Sequence, residues 1–293
     1  MVCNTDILFK NYSNNILSGG KKMASNSTGE IASLWRYPVK SMMGEELRST
    51  SVTDKGIFGD RSFALIDVET GKVASAKNPK RWPNMFSFHA RFQQSPGMSL
   101  DSTPVRITTA DGSTVSSDDA NVNAKLSKAL GREVKLISQV PSKPQLEEYW
   151  PDIEELDNKD VVTDEDMPAG TFFDLAIIHI LTTSTLAQLN QLYPEGRFEA
   201  RRFRPNMIVN AQENGFVENE WIGNTLAFGD EVVLKITGPC PRCVMTTLSQ
   251  GDLPRDTKIL RTAAQHNNAH VGVYAEVVQS GTIRCGDTLS IVG

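Results

Sequence analysis

Apolar positions in this chain recur mostly at every second residue, in short bursts separated by Gly, Asp and Pro. That period predicts half-buried β-strands and few helices. Ile31 to Tyr37 alternates loosely and runs into a turn at Pro38-Val39-Lys40-Ser41. A second turn, Gly56 to Arg61, precedes the buried strand Phe63 to Ile66. Phe86 to Phe92 alternates cleanly, which turns its three phenylalanines one way and leaves His89 on the exposed face. Val105 to Thr109 and Val134 to Ile137 read as further short strands, and Asn121 to Leu130 as one helix stopped by Gly131.

The pattern then lapses. Residues 141–170 carry many acids, several prolines and little periodicity, which predicts a solvated linker or surface loop. Phe172 to Leu181 resumes as strand-like sequence, with His179 inside it as a satisfied core histidine. Thr182-Thr183-Ser184 offers caps for a helix that stacks Leu186, Leu189 and Leu192 on one face. Met207 to Val209 is a strand, entered through Arg201-Arg202-Phe203-Arg204-Pro205-Asn206. Arginines so close to a core-bound strand are either a solvated cluster or a site awaiting an anion. Near the end, Gly229-Asp230 and Gly286-Asp287 each precede an alternating strand, which suits hairpins closing a barrel.

The fold class expected is therefore mainly β with some helix (α+β). The division expected is an extension at 1–30, a β-rich module at 31–140, the linker at 141–170 and a second domain at 171–293. The extension is rich in Asn, Ser and Gly and lacks signal- or transit-peptide character, so Met23 is a possible start and Cys3 has no expected partner. The net charge of −5 argues against nucleic acid as a general partner, and no apolar run is long enough for a membrane span. Four scattered cysteines do not make a disulfide framework, which points to a reducing compartment such as the cytoplasm.

Two of those cysteines fall in Gly238 to Thr247, GPCPRCVMTT. A thiolate is the softest ligand and strongest nucleophile among side chains, and a neighbouring arginine favours its ionised form. A C-x-x-C can equally be inert packing, a redox dithiol or half a zinc site. Zinc would need Cys285 and His266 or His270 to join Cys240 and Cys243. A redox dithiol expects a helix after the motif, whereas Val244-Met245-Thr246-Thr247 reads as strand.

Taken in order, YPVKS (Tyr37 to Ser41), GDR (Gly59 to Arg61), FRPN (Phe203 to Asn206), PRC followed by VMTT, and the terminal Gly-Asp strand resemble the MOSC family. The first domain is similar to the β-barrel module that precedes MOSC domains, and the whole to the mitochondrial amidoxime reducing components and their bacterial counterparts. The resemblance implies a molybdenum cofactor held between the modules. Cys243, after the arginine, is the implied metal and catalytic ligand beside the pterin dithiolene, and Cys240 a supporting residue. Lys40, Ser41 and Arg61, with Arg204, Asn206 and Arg242, match positions that hold the pterin phosphate. Tyr274, Thr182 and Thr183 match polar positions around the cofactor.

The implied activity is reduction of N-hydroxylated compounds, in which R–NHOH or an amidoxime loses its oxygen as water with two electrons and two protons. No membrane anchor and no ferredoxin-like cysteine-rich tail is recognised. The expectation is thus a monomer without a membrane span, fed by a separate electron donor of the cytochrome b5/reductase, ferredoxin or flavoprotein type, with mitochondrial association left open. Two alternatives remain at this stage. One is a sulfur carrier like the MOSC end of molybdenum cofactor sulfurases, whose pyridoxal phosphate would sit outside this chain. The other is a non-catalytic cofactor carrier.

Overall fold

The loose alternation of the first strand has a cause visible in the computed structural model, which describes residues 28–96 and 103–292. Strand β1 (Gly29–Arg36) is bulged: Ile31 pairs with Val209 but Ser33 with Ile208, so two steps on β1 match one on its neighbour. The extra residue resets the pleat, and Ile31 and Leu34, three apart, enter the same buried cluster. The expectations for residues 1–27, Cys3 and Met23 among them, lie outside the described residues.

There follow β2 (Glu45–Leu47), β3 (Ser49–Thr53), β4 (Gly56–Ile57), β5 (Ala64–Asp67), β6 (His89–Phe92), β7 (Val105–Thr108), β8 (Thr114–Ser116), α1 (Val122–Leu130) and β9 (Val134–Ile137). Helix α1 ends at Gly131, which takes a left-handed φ of 70° and donates its N–H to Ser127 O. Phe86 to Phe92 is not one strand. Pro83-Asn84 starts a 3-10 turn over Met85–Ser87, closed by Ser87 N–H to Asn84 O, and only β6 is extended. The three phenylalanines are all buried and His89 exposed, as alternation predicts.

The expected linker is a hairpin of β10 (Gln145–Trp150) and β11 (Val161–Asp166). Leu146 and Glu148 are its buried residues, so a charged side chain on the inward face conceals the alternation. The chain continues through β12 (Ile178–Thr182), α2 (Thr183–Leu192), α3 (Ala200–Phe203), β13 (Met207–Ala211), β14 (Thr225–Phe228), β15 (Val232–Pro241), α4 (Lys258–Asn267), β16 (His270–Gln279), β17 (Gly281–Arg284) and β18 (Thr288–Val292).

Seven strands form a closed barrel, in the order β13-β12-β16-β15-β14-β18-β1, with β1 pairing back onto β13. The fold is mainly β with peripheral helices, as the pattern implies. The two Gly-Asp turns are not equivalent. The first joins the hairpin β14–β15, whereas β17 pairs with β3 and β18 with β14 and β1. The turns instead touch: Gly229 N–H donates to Thr288 O, and a Cβ on Gly229 would lie 2.9 Å from Asp287 Oδ2.

One core fills the barrel, with Ile180, Val209, Phe228, Leu234, Val273 and Leu289. Another lies under β5 to β9, with Met42, Leu65, Phe88, Ile107 and Leu126. Val244, Met245 and Leu248, just after the C-x-x-C, belong to this second core. Val244–Thr247 is a 3-10 turn and not a continuing strand. Thr246 Oγ1 donates to Cys243 O and Thr247 Oγ1 to Val244 O, three residues back, and those local bonds draw a β-branched run into a turn. The chain thus leaves the barrel at Cys243 and anchors in the other core.

Candidate functional site

At that crossing lies a cavity of about 320 Å³. Lys40, Ser41, Arg61, Arg204, Asn206, Arg242, Cys243 and Tyr274, eight of the ten residues expected from sequence, line it. Thr182 and Thr183 do not. Thr182 is the N-cap of α2: its Oγ1 accepts from Thr185 N–H at 3.1 Å and donates to Glu218 Oε2 at 2.6 Å. Thr183 Oγ1 donates to Asn210 Oδ1. A helix start needs such hydroxyls for its own orphan N–H groups.

Three of the cavity residues have left-handed backbones without being glycine: Ser41 (φ 62°), Arg61 (φ 46°) and Arg204 (φ 56°). Each costs about 1–2 kcal/mol and persists only where surrounding contacts impose it. The contacts are explicit. Arg61 N–H donates to Tyr37 O, Arg204 N–H to Ala200 O, and Arg204 Nη1 to Met42 O at 2.7 Å. Both guanidiniums lie over the Tyr37 ring, at 4.5 and 4.2 Å from its centroid. Buried Asp60 accepts from Tyr37 N–H, from Asn206 Nδ2 and from Arg61 Nη1. Burial, aided by Arg61, brings Arg204 down to about 10. Burial pushes Tyr37 up to about 12, so its hydroxyl keeps its proton and donates to Pro205 O. Two cations share one aromatic ring in a buried place, an arrangement that favours an incoming anion.

Other expected residues are held by the protein itself. Asn206 Oδ1 accepts from His179 N–H while Nδ2 reaches Asp60, so this side chain braces the arginine turn. Ser41 Oγ accepts from Ala76 N–H. Lys40 Nζ donates to Phe172 O at 2.8 Å and to Asp174, and burial lowers its pKa in spite of that carboxylate.

The C-x-x-C is asymmetric. Arg242 Nη1 donates to Cys240 Sγ at 2.7 Å and Nη2 to Phe203 O at 2.8 Å, while its buried Nε has no partner among the described residues. Cys240 is fully buried and Cys243 half-buried. Burial and then Glu148 push the Cys243 thiol up to about 11, against the pull of Lys77 and Arg242. Arg242 does favour the Cys243 thiolate, as expected, but its guanidinium bonds the other cysteine and desolvation outweighs its pull. Cys285 Sγ bonds Leu47 O, and no group of three or more His, Cys, Asp or Glu able to hold a metal occurs among the described residues. The four-ligand zinc arrangement is not assembled.

Residues 28–139 match the MOSC N-terminal beta barrel domain and residues 170–290 the MOSC domain. The chain belongs to the MOSC family. It is 22% identical to mitochondrial amidoxime reducing component 2 of Rattus norvegicus, over 88% of this chain and 82% of that one. With mitochondrial amidoxime-reducing component 1 of Mus musculus the identity is 24%, over 90% and 83%. Molybdenum cofactor sulfurase of Homo sapiens is 23% identical over 83% of this chain, which spans 29% of that protein. Among solved structures, the YUAD protein of Bacillus subtilis aligns over 90% of this chain and 94% of its own, with TM-score 0.46 and 12% identity. No helix among the described residues is long and apolar enough to cross a membrane.

The MOSC cavity also contains residues that sequence reasoning missed. Lys77 Nζ bonds Glu148 Oε2 at 2.9 Å and approaches Asp174 Oδ2 at 3.7 Å. Burial opposes charge on Lys77, but Asp174, Cys243 and Glu148 together raise its pKa. Burial raises Glu148, whereas Asp174 is held well below the carboxylate range because Lys40 and Lys77 outweigh its desolvation. Only the hairpin puts Glu148 here, and no local signal marks it. His179, read as a core histidine, is buried, lines the cavity and meets Val271 O through Nε2 at 3.1 Å. A carbonyl only accepts, so Nε2 carries the proton, and burial lowers the ring's pKa to about 3. Gly272 (φ 83°) permits this approach, since a Cβ there would lie 2.3 Å from His179 Nε2.

Proposed function

We propose that this chain binds a molybdenum cofactor in the junction cavity and reduces N-hydroxylated compounds such as hydroxylamines and amidoximes. One observation carries the reading: the free thiol of Cys243 shares a cavity wall with Lys40, Arg61, Lys77, Arg204 and Arg242. A soft ligand beside clustered cations fits a group that combines a high-valent metal with a phosphate. The unpaired Nε of Arg242 and the paired guanidiniums over Tyr37 are donors of the kind that a phosphate recruits.

Cys243 would ligate the metal, with Arg61 and Arg204 on the phosphate. Lys40, Ser41 and Arg242 would complete that end, Tyr274 would flank the pterin, and Asn206 would brace the arginine turn. When bound, the group supplies oxygen-atom removal from the N–O bond, and the net change consumes two electrons and two protons and releases water with the amine of a hydroxylamine or the amidine of an amidoxime. Of the Lys77–Glu148–Asp174 cluster beside the thiol, Glu148, whose pKa burial raises, would be the member that moves those protons, with Lys77 and Asp174 holding it in place. Electrons come from a separate redox protein, and the compartment read from cysteine usage is the cytoplasm.

The test is metal analysis of protein made in a host that synthesises the cofactor, joined to turnover of benzamidoxime with dithionite-reduced viologen. Stoichiometric molybdenum and amidine release are expected. Zinc, or turnover without molybdenum, overturns the reading. Molybdenum without turnover favours the carrier, and a persulfide formed without molybdenum favours sulfur transfer.

A further inference from the structure

Beside the cavity of Cys243 lies a wider groove of about 600 Å³, and the two share Leu175, Ala176, Pro241 and Tyr274. Their linings differ in charge. The inner cavity sets five cationic side chains against the four carboxylates of Glu148, Glu165, Asp166 and Asp174. The groove has no lysine or arginine among its lining residues, and Glu276 is its single acid. His270, also in the wall, has its pKa lowered by burial and adds no charge at neutral pH.

The remaining wall is apolar or bare backbone. Leu175 stands 61% exposed at the shared edge, a large aliphatic side chain with little covering it. The same segment adds Ile177, and β15 contributes Gly238 and Pro239. Strand β15 shifts register on both sides of Gly238 and Pro239, and its pairing with β16 continues beyond them to Pro241 and His270. A Cβ on Gly238 would meet nothing within 4 Å, so the groove has open space above that residue.

We propose that this groove is the subsite for the non-reacting part of the substrate, selecting a flat apolar body whose far end is basic and disfavouring one whose far end is acidic. The inference rests on the reductase reading: a substrate whose N–O group faces Cys243 must lay the rest of itself along the adjoining groove. Leu175 and Pro239 would cover the ring, and Glu276 would meet a remote ammonium. The cationic inner wall is no obstacle, because that end of the substrate, hydroxylamine or amidoxime, is uncharged at neutral pH.

Three para-substituted benzamidoximes test this: unsubstituted, aminomethyl and carboxylate, assayed with reduced viologen. The aminomethyl compound should show a KM about threefold below the parent, and the carboxylate one about threefold above it, as an exposed ion pair allows, with kcat unchanged. Glu276→Lys should invert the order at unchanged molybdenum content. Gly238→Leu, at a backbone that any residue can adopt, should raise all three KM values by filling the groove. Binding of the aminomethyl and carboxylate benzamidoximes, uncharged at the reacting end, to metal-free protein, followed by calorimetry, should show the same charge order and the same inversion. Equal KM values for the three compounds, an order that survives Glu276→Lys, or a Gly238→Leu variant that leaves KM and binding untouched would each overturn the proposal. Amidoxime binding to metal-free protein with the expected order but no turnover of any amidoxime would uphold the groove and sink the reductase reading. Turnover with no charge order would do the reverse.

Discussion

Arg242 separates two cysteines and bonds only one of them, which makes the motif's residues unequal. Cys243→Ser should abolish viologen-driven turnover, because a hydroxyl is a harder and less ionised ligand than a thiol. Cys240→Ser should keep most of it, since the new hydroxyl still accepts from Arg242 Nη1. Cys240→Val removes that acceptor and strands a buried donor, so about 1–3 kcal/mol of stability should be lost in chemical denaturation. Equal loss of activity in the two serine variants would instead indicate a dithiol mechanism. The same scale sets a pH dependence through His179, whose folded pKa is depressed to about 3 from 6.5. Above the unfolded value neither state binds the proton, and the group has no effect. As pH falls from 6.5 toward 3 the unfolded chain takes up a proton that the folded chain refuses, so stability drops. Between pH 6.5 and 5 that amounts to about 2 kcal/mol. His179→Gln keeps a donor for Val271 O and should be measurably less acid-sensitive over this interval in urea unfolding.

At the level of elements, the start of α2 is joined to the 3-10 turn Val217–Trp221 through Glu218. Glu218 Oε2 accepts from Thr182 and Thr185, while its buried Oε1 has no partner among the described residues. Thr182→Val should cost about 1 kcal/mol or more, since the cap is lost and Glu218 loses a donor. Burial raises the Glu218 pKa above its ordinary 4.5. An acid that holds its proton longer when folded makes the protein less stable as pH rises through the interval between its unfolded and folded values. Glu218→Gln should therefore flatten the fall in melting temperature above pH 4.5 while its carbonyl still accepts from both threonines. Parallel profiles for variant and wild type would show that the carboxylate ionises without penalty.

For the whole molecule, the governing feature is that β1 closes the barrel between β13 and β18. A fragment of residues 170–293 matches the MOSC domain almost end to end but lacks that strand. Its β13 and β18 edges would be open and the barrel core would lack Ile31 and Leu34. Compared with the full chain, the fragment should aggregate or melt without a cooperative transition, and adding a peptide of residues 28–37 should partly restore one. The second core makes the same point: Val244, Met245 and Leu248 have their apolar partners in the N-terminal half, so the turn that follows Cys243 cannot be held without it.

The site was legible in part for a simple reason. FRPN, PRC and the YPVKS and GDR turns are local sequences, and turns and strand faces are determined by neighbours within a few residues. Strand β6, helix α1 with its Gly131 stop and the capped start of α2 were readable on the same grounds. Local pattern cannot say which distant partner a polar group meets. Thr182 and Thr183 looked like pocket residues, yet the helix N-cap claims Thr182 and Asn210 engages Thr183. Arg242 stands next to Cys243 in sequence, but its guanidinium reaches Cys240 and Phe203 O. Glu148 broke the hairpin's alternation because a lysine 71 positions earlier compensates its burial. Alternation along a strand records only which face is buried; barrel closure, the crossing at Cys243 and the pairing of buried charges depend on contacts between segments far apart in the chain.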